Sequence, residues 1–585
     1  MSLEEFNQIP HFVCDYVTKW AQQKPDAIAI IDADDGKWVT WKDFETAINI
    51  YALALLDMNL RKGDIIVSML PLTLEHIFFE YACFKLGILF CPFDVRLKRD
   101  EVVRCVQLLD PKAKMFLHAD DTESEDRSGA KKFYEFKQFA RAVKKTCKFV
   151  KYFIQFSPVE DADRGTIGFL NWLRDAKDNY RKYQGDPTQF QKKMDQLAAA
   201  AAQVKDDDPI LIIYTTGTTG FPKPAMLTNA GIVCQNWCMA QAFEFSEDDR
   251  MLVNLPPSHV GCQTEQLMTT LFAGGIAVVL HIFKADKSLQ AIEDYKVTAF
   301  GQIPSLFAME WQLGRKKGER PYDTYDLSSL RFAIYGGQAV SRKFLERLST
   351  MAPQFGSGLG LTELSGFVSY TPLNGTVDDI LASLGTDFPV TPLSIRNGIQ
   401  EDGTAGEELP DGEIGEVCYS GPQVFLGYFG NDEATRKTIS KDGFCYTGDL
   451  GFKDDNGLHL AGRSKFVIKP KGYQVYPPQI EAHIEKLPEV MMAAVVGAKH
   501  EVYSEGVVLY VELKKGRKLP TEVELKKKIL EHCEELPAYM RPNLIIFMDE
   551  IPLNRVDKTD YKELYDRVVA DVDAERAKGG WDAKA

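Results

Sequence analysis

Residues 214–223 read Tyr-Thr-Thr-Gly-Thr-Thr-Gly-Phe-Pro-Lys. The chemistry such a stretch suits is the grip of a polyphosphate. Gly217 and Gly220 let the backbone approach a ligand closely and adopt positive φ. The amides and hydroxyls of Thr215, Thr216, Thr218 and Thr219 can donate to phosphate oxygens, and Lys223 adds a compact positive charge. It is not a Walker loop, because no Gly-Lys-Ser/Thr stands at the required spacing. Glycine and threonine are also common in turns, so a plain surface loop is the competing reading of these ten residues alone.

The elements around the loop follow from periodicity. The short apolar, β-branched run 209–213 predicts a buried strand before it, and 228–241 has helical spacing after it. A strand emptying through a glycine loop into a helix is therefore expected. Upstream, strands are expected at 26–32, 65–70 and 88–93, a helix at 41–60, and an apolar-rich helix at 74–86 that ends at Gly87. Strand–helix–strand units of this length imply right-handed crossovers and a parallel sheet. Strands near 251–254, 276–280 and 331–334, with helices between, predict a second parallel sheet. Short strands with glycine turns over 412–452 suggest a small antiparallel or barrel-like subdomain. A compact α+β region follows, with strands near 493–496 and 507–513 and a helix opened by the capping box Thr521-x-x-Glu524.

The expected fold class is α/β. A large N-terminal domain of parallel αβ sheets, 1–461, carries the barrel-like subdomain, and a small mobile α+β domain, 462–585, follows it. Residues 120–132 are charged and expected to be a mobile loop, with a strand at 149–156. Helical stretches rich in Lys, Gln and Ala over 171–204 are expected to be a solvated insertion, with a partner surface as the alternative. No internal repeat is evident.

Bulk properties narrow the field. A chain of 585 residues with 45% hydrophobic composition is long enough for two or more cores. Its formal charge of -15 argues against a nucleic-acid partner. No apolar run is long enough to span a bilayer. The acidic N-terminus lacks a signal-peptide core and the C-terminus is not a Ser-Lys-Leu address, so a cytoplasmic location is expected. The 11 cysteines include no Cys-x-x-Cys pair. Cys234 and Cys238 stand one helical turn apart without His or Cys partners nearby, and reduced thiols are the expectation.

The 214–224 stretch resembles the phosphate loop of the adenylate-forming family: acyl- and aryl-CoA ligases, luciferase and peptide-synthetase adenylation domains. Other family stretches occur in the expected order from Gly63-Asp64 to Lys558, and the resemblance covers nearly the whole chain. It implies attack of a carboxylate on the α-phosphorus of ATP, giving acyl-AMP and pyrophosphate. Positioning and electrostatics can carry most of that acceleration.

Residue by residue, the resemblance assigns roles. Gly358-Leu-Gly-Leu-Thr-Glu363 is similar to the family's Gly-Tyr-Gly-x-Thr-Glu stretch. It implies Thr362 on the α-phosphate and Glu363 as a ligand of Mg²⁺, with Gly358, Leu359 and Gly360 beside the nucleotide. Leu359 replaces the family's tyrosine and removes its aromatic packing on adenine. Tyr335-Gly-Gly-Gln-Ala339 resembles the loop lining the adenine and acyl pockets, implicating Gly336, Gly337 and Gln338. Asp449, in Tyr446-Thr-Gly-Asp449, matches the aspartate that accepts both ribose hydroxyls, and Arg463 the arginine that reaches ribose or phosphate. Taken singly, these two would read as a surface ion pair.

Lys558 matches the C-terminal catalytic lysine, with Asp557 in place of the usual glycine before it. Lys469, Lys471, Gly472 and Tyr473 resemble the loop that enters the site when the small domain rotates, and Lys465 stands at the hinge position. Such rotation would withdraw Lys558 and open a path for the thiol of coenzyme A.

Pro256-Pro-Ser-His259 resembles the acyl-pocket stretch, where His259 would be a wall or gate. Amino-acid-activating domains place an aspartate near here, and none occurs in 255–263, which disfavours α-amino acids. Gly-Tyr-Gln-Val at 472–475 looks more like CoA ligases and luciferase, and no carrier domain follows Lys558, so CoA is the expected acceptor. The expected acid is benzoate-like or alicyclic, such as cyclohexane carboxylate, with short- or medium-chain fatty acids next. The partners implied are this small-molecule carboxylic acid, ATP, Mg²⁺ and CoA, on a monomer or homodimer. The rival readings are a standalone enzyme that hands acyl-AMP to a carrier protein or amine, a luciferase-like oxidase, and a non-catalytic nucleotide-binding module. The last would typically have lost Lys558, Glu363 or Asp449.

Overall fold

The computed structural model describes residues 1–125, 131–157, 162–215, 222–314, 320–470, 473–501, 504–515, 520–554 and 558–581. The chain divides into two compact units. The first comprises Met1–Thr215, Pro222–Leu393 and Tyr419–Cys445, and the second comprises Ser394–Cys418 and Tyr446–Ala585.

Two eight-stranded sheets build the first unit. One runs in the order Gly366–Tyr370, Gln354–Leu361, Phe332–Gly336, Ala299–Gln302, Arg250–Val253, Ile276–Val279, Ile28–Asp32 and Lys37–Thr40. Its pairings are parallel except at the two ends, where Lys37–Thr40 and Gly366–Tyr370 return antiparallel. The other runs Gly427–Tyr428, Lys223–Thr228, Pro209–Thr215, Leu89–Pro92, Ile65–Met69, Ala113–Ala119, Tyr152–Phe156 and Ile167–Gly168. Helices cover these sheets, so the central strands are buried on both faces, and Ile65–Met69 has no exposed residue. Helix Leu74–Leu86 is buried nearly all round. It opens on the Thr73 hydroxyl, which accepts from the His76 amide, and closes on left-handed Gly87; an N-cap of this kind contributes about 1 kcal/mol.

Three local expectations are corrected. The phosphate loop does not lead straight into the helix: Lys223–Thr228 returns antiparallel along Pro209–Thr215 before helix Asn229–Ala242 begins. Its buried Ala225 and Leu227 let it serve as an inner strand, a choice made by its neighbours rather than by its own periodicity. The region 120–132, expected to be a mobile loop, contains Thr122–Glu125 paired antiparallel with Lys131–Tyr134, in a register that sets Glu125 opposite Lys131. Finally, the 412–452 stretch is shared between sheets, because Gly427–Tyr428 adds to the edge of Lys223–Thr228.

The expected insertion forms helices Phe169–Gln184 and Pro187–Ala201. It is anchored rather than freely solvated: Phe169 stacks on Phe156 at 4.1 Å and Trp172 on Phe79 at 4.8 Å, leaving the opposite faces to water.

In the second unit, a four-stranded sheet orders Leu393–Arg396, Gly415–Tyr419, Cys445–Asp454 and Gly457–Arg463. A three-stranded sheet follows, Val490–His500 antiparallel to Ser504–Leu513, which is parallel to Leu544–Met548. Strand alternation sorts its residues: Val495, Val507, Leu509 and Val511 pack on helices Pro477–Ile484 and Glu522–His532, while Val496, Val508 and Tyr510 pack on helix Tyr561–Ala577. The Thr521–Glu524 capping box forms as expected. All 11 cysteines are free thiols, and no helix among the described residues is long and apolar enough to cross a membrane.

Candidate active site

Thr215 is the last residue of its strand, and its buried hydroxyl has no hydrogen-bond partner among the described residues. Thr216, Gly217, Thr218, Thr219 and Gly220 lie outside the described residues. Lys223 opens the return strand and holds its ammonium 4.3 Å from the centre of the Tyr428 ring. The Tyr428 hydroxyl donates to Glu363 Oε1 at 2.6 Å. Burial first, then the Glu363 charge and this bond, push the Tyr428 phenol well above its ordinary range. Lys223, Tyr428 and Glu363 thus form one connected line.

Glu363 and Thr362 sit in the 3-10 turn Thr362–Leu364, which folds strand Gln354–Leu361 back as Gly366–Tyr370. Left-handed Ser365 completes the reversal. The turn is pinned by the Phe425 amide, which donates to the Glu363 carbonyl at 3.0 Å. The bond from Tyr428 takes one carboxylate oxygen. The other has no protein partner among the described residues, which fits a hard dication seeking a carboxylate oxygen. Sequence reasoning missed Tyr428; its only signal was an aromatic residue inside a glycine-rich stretch.

The glycines have a second purpose. A Cβ at Gly336 would lie 2.7 Å from the Phe367 ring, one at Gly360 2.8 Å from it, and one at Gly358 closer still. Gly336 and Gly358 are glycine because the protein's own aromatic ring fills the space, and at Gly360 the Gly366 backbone, 2.7 Å away, crowds the position first. Gly337 differs: its φ of +92° requires glycine, and no atom lies nearer than 3.5 Å to its would-be Cβ. Gly337 and Gln338 are exposed, and Leu359 is half-buried opposite Ser369.

His259 precedes a π-helix, Gly261–Met268. Burial raises the proton affinity of the Asp94 carboxyl, but the bonds and charge of Arg96, joined by the charge of His259, bring it below the usual carboxylate range. Arg96 binds Asp94 at 2.7 Å. Asp94 is therefore electrostatically tied to the candidate gate.

In the second unit, Asp449 and Arg463 face each other across Cys445–Asp454 and Gly457–Arg463. Arg463 Nε lies 2.7 Å from Asp449 Oδ1, and another guanidinium nitrogen donates to the Thr447 carbonyl at 3.2 Å. The aspartate is 5% exposed. Burial pushes its carboxyl up, opposed by the charges of Arg463 and Lys558. Lys558 is lowered by desolvation of its ammonium and by Arg463, opposed by Asp449. Its residue surface is exposed, so that desolvation belongs to the charged tip and not the whole chain. Three sequence-predicted residues thereby form one electrostatic cluster. Lys558 is held by Asn554, its carbonyl accepting from the Asn554 amide at 2.7 Å and its amide donating to Asn554 Oδ1 at 3.2 Å. Asp557 lies outside the described residues.

Lys465 is exposed in the turn Ser464–Phe466, with its ammonium 4.6 Å from the Phe466 ring. Lys469 and Tyr473 lie on a loop closed by paired bonds between Ile468 and Val475. The Lys469 amide donates to Glu505, and Tyr473, 55% exposed, stacks on Tyr539 at 4.7 Å. Lys471 and Gly472 are outside the described residues.

This fold and these groups define an adenylate-forming enzyme. The sequence matches the AMP-binding enzyme family over residues 17–429 and the AMP-binding enzyme C-terminal domain over 479–558. 4-Coumarate-CoA ligase 1 of Narcissus pseudonarcissus is 32% identical over 393 residues, spanning 64% of this chain and 68% of that one. Indoleacetate–CoA ligase of Aromatoleum aromaticum (strain DSM 19018 / LMG 30748 / EbN1) is 31% identical over 371 residues, 62% and 69% of the two chains. The crystal structure of the anthranilate CoA ligase AuaEII with anthranoyl-AMP superposes with a TM-score of 0.76 at 20% identity, covering 97% of this chain and 99% of that one. The chain belongs to the AMP-binding enzymes and is an ATP-dependent acyl- or aryl-CoA ligase.

Proposed function

We propose that the ligase activates an aromatic or alicyclic monocarboxylate. A carboxylate oxygen attacks the α-phosphorus of ATP as the bond to pyrophosphate breaks. The CoA sulfur then attacks the acyl carbon, AMP leaves, and the thiol proton passes to solvent. The observation that carries the reading is the shared electrostatics of Asp449, Arg463 and Lys558. Asp449 is the buried acceptor for the ribose hydroxyls, Arg463 orients it, and Lys558 stabilises charge developing between carboxylate and α-phosphate. Thr215, Thr362 and Lys223 bind phosphate oxygens, and Tyr428 fixes the Glu363 carboxylate. Bound Mg²⁺ would neutralise phosphate charge, and the free oxygen of Glu363 is the ligand atom offered to it.

The names of two relatives, 4-coumarate- and indoleacetate–CoA ligase, support an aromatic acid. Residues from 462 onward form the mobile part, with Lys465 as hinge. Lys465→Pro, which fixes φ, should spare ATP–pyrophosphate exchange more than thioester formation in single-turnover measurements; equal losses would remove the hinge. The central test is a panel of cyclohexane carboxylate, benzoate, cinnamate, hexanoate and phenylalanine, read by ATP–pyrophosphate exchange and then by CoA-dependent AMP release. Cyclic acids should lead. Phenylalanine as best substrate, or AMP release indifferent to CoA, would overturn the reading.

A further inference from the structure

The π-helix Gly261–Met268 carries a carboxyl that has no protein partner among the described residues. The side chains beside it do bond to the protein: Gln263 Nε2 donates to the Pro257 carbonyl at 3.0 Å, although Gln263 Oε1 is buried without a partner among the described residues, and the Thr264 hydroxyl donates to the Val260 carbonyl at 3.0 Å. Gln266 Nε2 donates to the Gly301 carbonyl at 2.6 Å, and its oxygen accepts from the Leu255 amide at 3.2 Å. Between them, Glu265 has no hydrogen bond and no ion pair among the described residues. It is only partly exposed, and burial alone pushes its carboxyl up to about 8. A carboxylate held for the fold's own sake would have a protein partner.

Position gives this carboxyl its meaning. Glu265 stands six residues after His259, the candidate acyl gate. A Cβ on Gly261 would come 3.6 Å from Glu265 Oε2 and 3.0 Å from Leu255 Cδ1, so the carboxyl lies over a residue with no side chain, beside the end of the Pro256–His259 stretch. On another side its charge is felt by Tyr370, on the strand paired with Gln354–Leu361, which leads to Thr362 and Glu363. π-Helical turns are frequent at functional sites.

We propose that Glu265 is a specificity-determining residue that reads a hydrogen-bond donor, a hydroxyl or amino group, on the tail of the acid. The inference rests on the cyclic-acid reading and narrows it. A carboxyl without a partner favours a ligand that supplies one, and a site built for a donor rejects the analogue lacking it by as much as 10⁴-fold.

The test compares benzoate and cinnamate with their 3- and 4-hydroxy and 3- and 4-amino derivatives, in ATP–pyrophosphate exchange by the full chain. Wild type should prefer at least one donor-bearing acid over its parent by about tenfold or more in kcat/KM. Glu265→Leu should bring that ratio close to one while KM for ATP holds. Glu265→Gln, which keeps the shape and an acceptor oxygen, should retain part of the preference. A wild-type ratio at or below one for every derivative overturns the inference without any variant. An unchanged ratio in Glu265→Leu overturns it as well. Failure of wild type to activate any cyclic acid, while hexanoate is activated, instead overturns the reading beneath it.

Discussion

Asp449→Asn separates function from stability. The aspartate is 5% exposed, and burial raises its proton affinity despite Arg463 at 2.7 Å and the charge of Lys558. A carboxyl whose folded pKa lies above its unfolded value holds a stabilising contribution below the unfolded pKa, and that contribution is gone once pH has risen through the folded one. At neutral pH the ionised form is thus a net burden on the fold, and the isosteric amide should leave the melting temperature unchanged or raise it. Activity should move the other way. A hydrogen bond to a charged acceptor contributes about 1.5–3 kcal/mol. Asparagine keeps one acceptor oxygen and loses the charge, so kcat/KM for ATP should fall by about 2–4 kcal/mol, roughly 30- to 1,000-fold. The assays are thermal denaturation and ATP–pyrophosphate exchange at varied ATP with saturating acid. A protein that melts markedly earlier yet keeps its kcat/KM for ATP would show that Asp449 is structural, and the ribose assignment would fall with it.

Lys558→Ala should depress acyl-AMP formation by about 10²–10³ while sparing thioester formation from supplied acyl-AMP; equal losses in the two half-reactions would argue against its charge-stabilising role. In the second unit, Glu481 accepts from the Val495 amide and the Tyr561 hydroxyl, each at 2.7 Å, and burial pushes it up to about 7. Its raised folded pKa gives a stabilising contribution that is complete below about 4.5 and lost by about 7, at most about 3 kcal/mol. Denaturation of Glu481→Gln should therefore vary less with pH across that window, and parallel wild-type and variant curves would refute the assignment. Gly358→Ala should clash with Phe367 and destabilise by about 1–3 kcal/mol, with loss of exchange activity as the Thr362–Leu364 turn shifts; Phe367→Leu in the same chain should recover part of both, and no recovery would mean the ring is not the obstacle.

Short-range order was legible in the sequence. Helix Leu74–Leu86 and its Gly87 stop, the strand before the phosphate loop, and the Thr521–Glu524 capping box all depend on residues within a few positions of one another. Motif order likewise marked Asp449, Arg463, Lys558, Thr362 and Glu363 as candidates before any geometry was known. Only the tertiary structure could decide what distant neighbours impose. Lys223–Thr228 is a strand because Pro209–Thr215 and Gly427–Tyr428 lie on either side of it. Gly336 and Gly358 are empty at Cβ because Phe367 arrives from another strand. Tyr428 meets Glu363 across 65 positions of chain, and Glu265 counts because its neighbours' bonds leave it out. Periodicity reports which face of an element is apolar. Burial, pairing and the lack of a partner depend on what the rest of the chain brings to that face, and no local pattern encodes it.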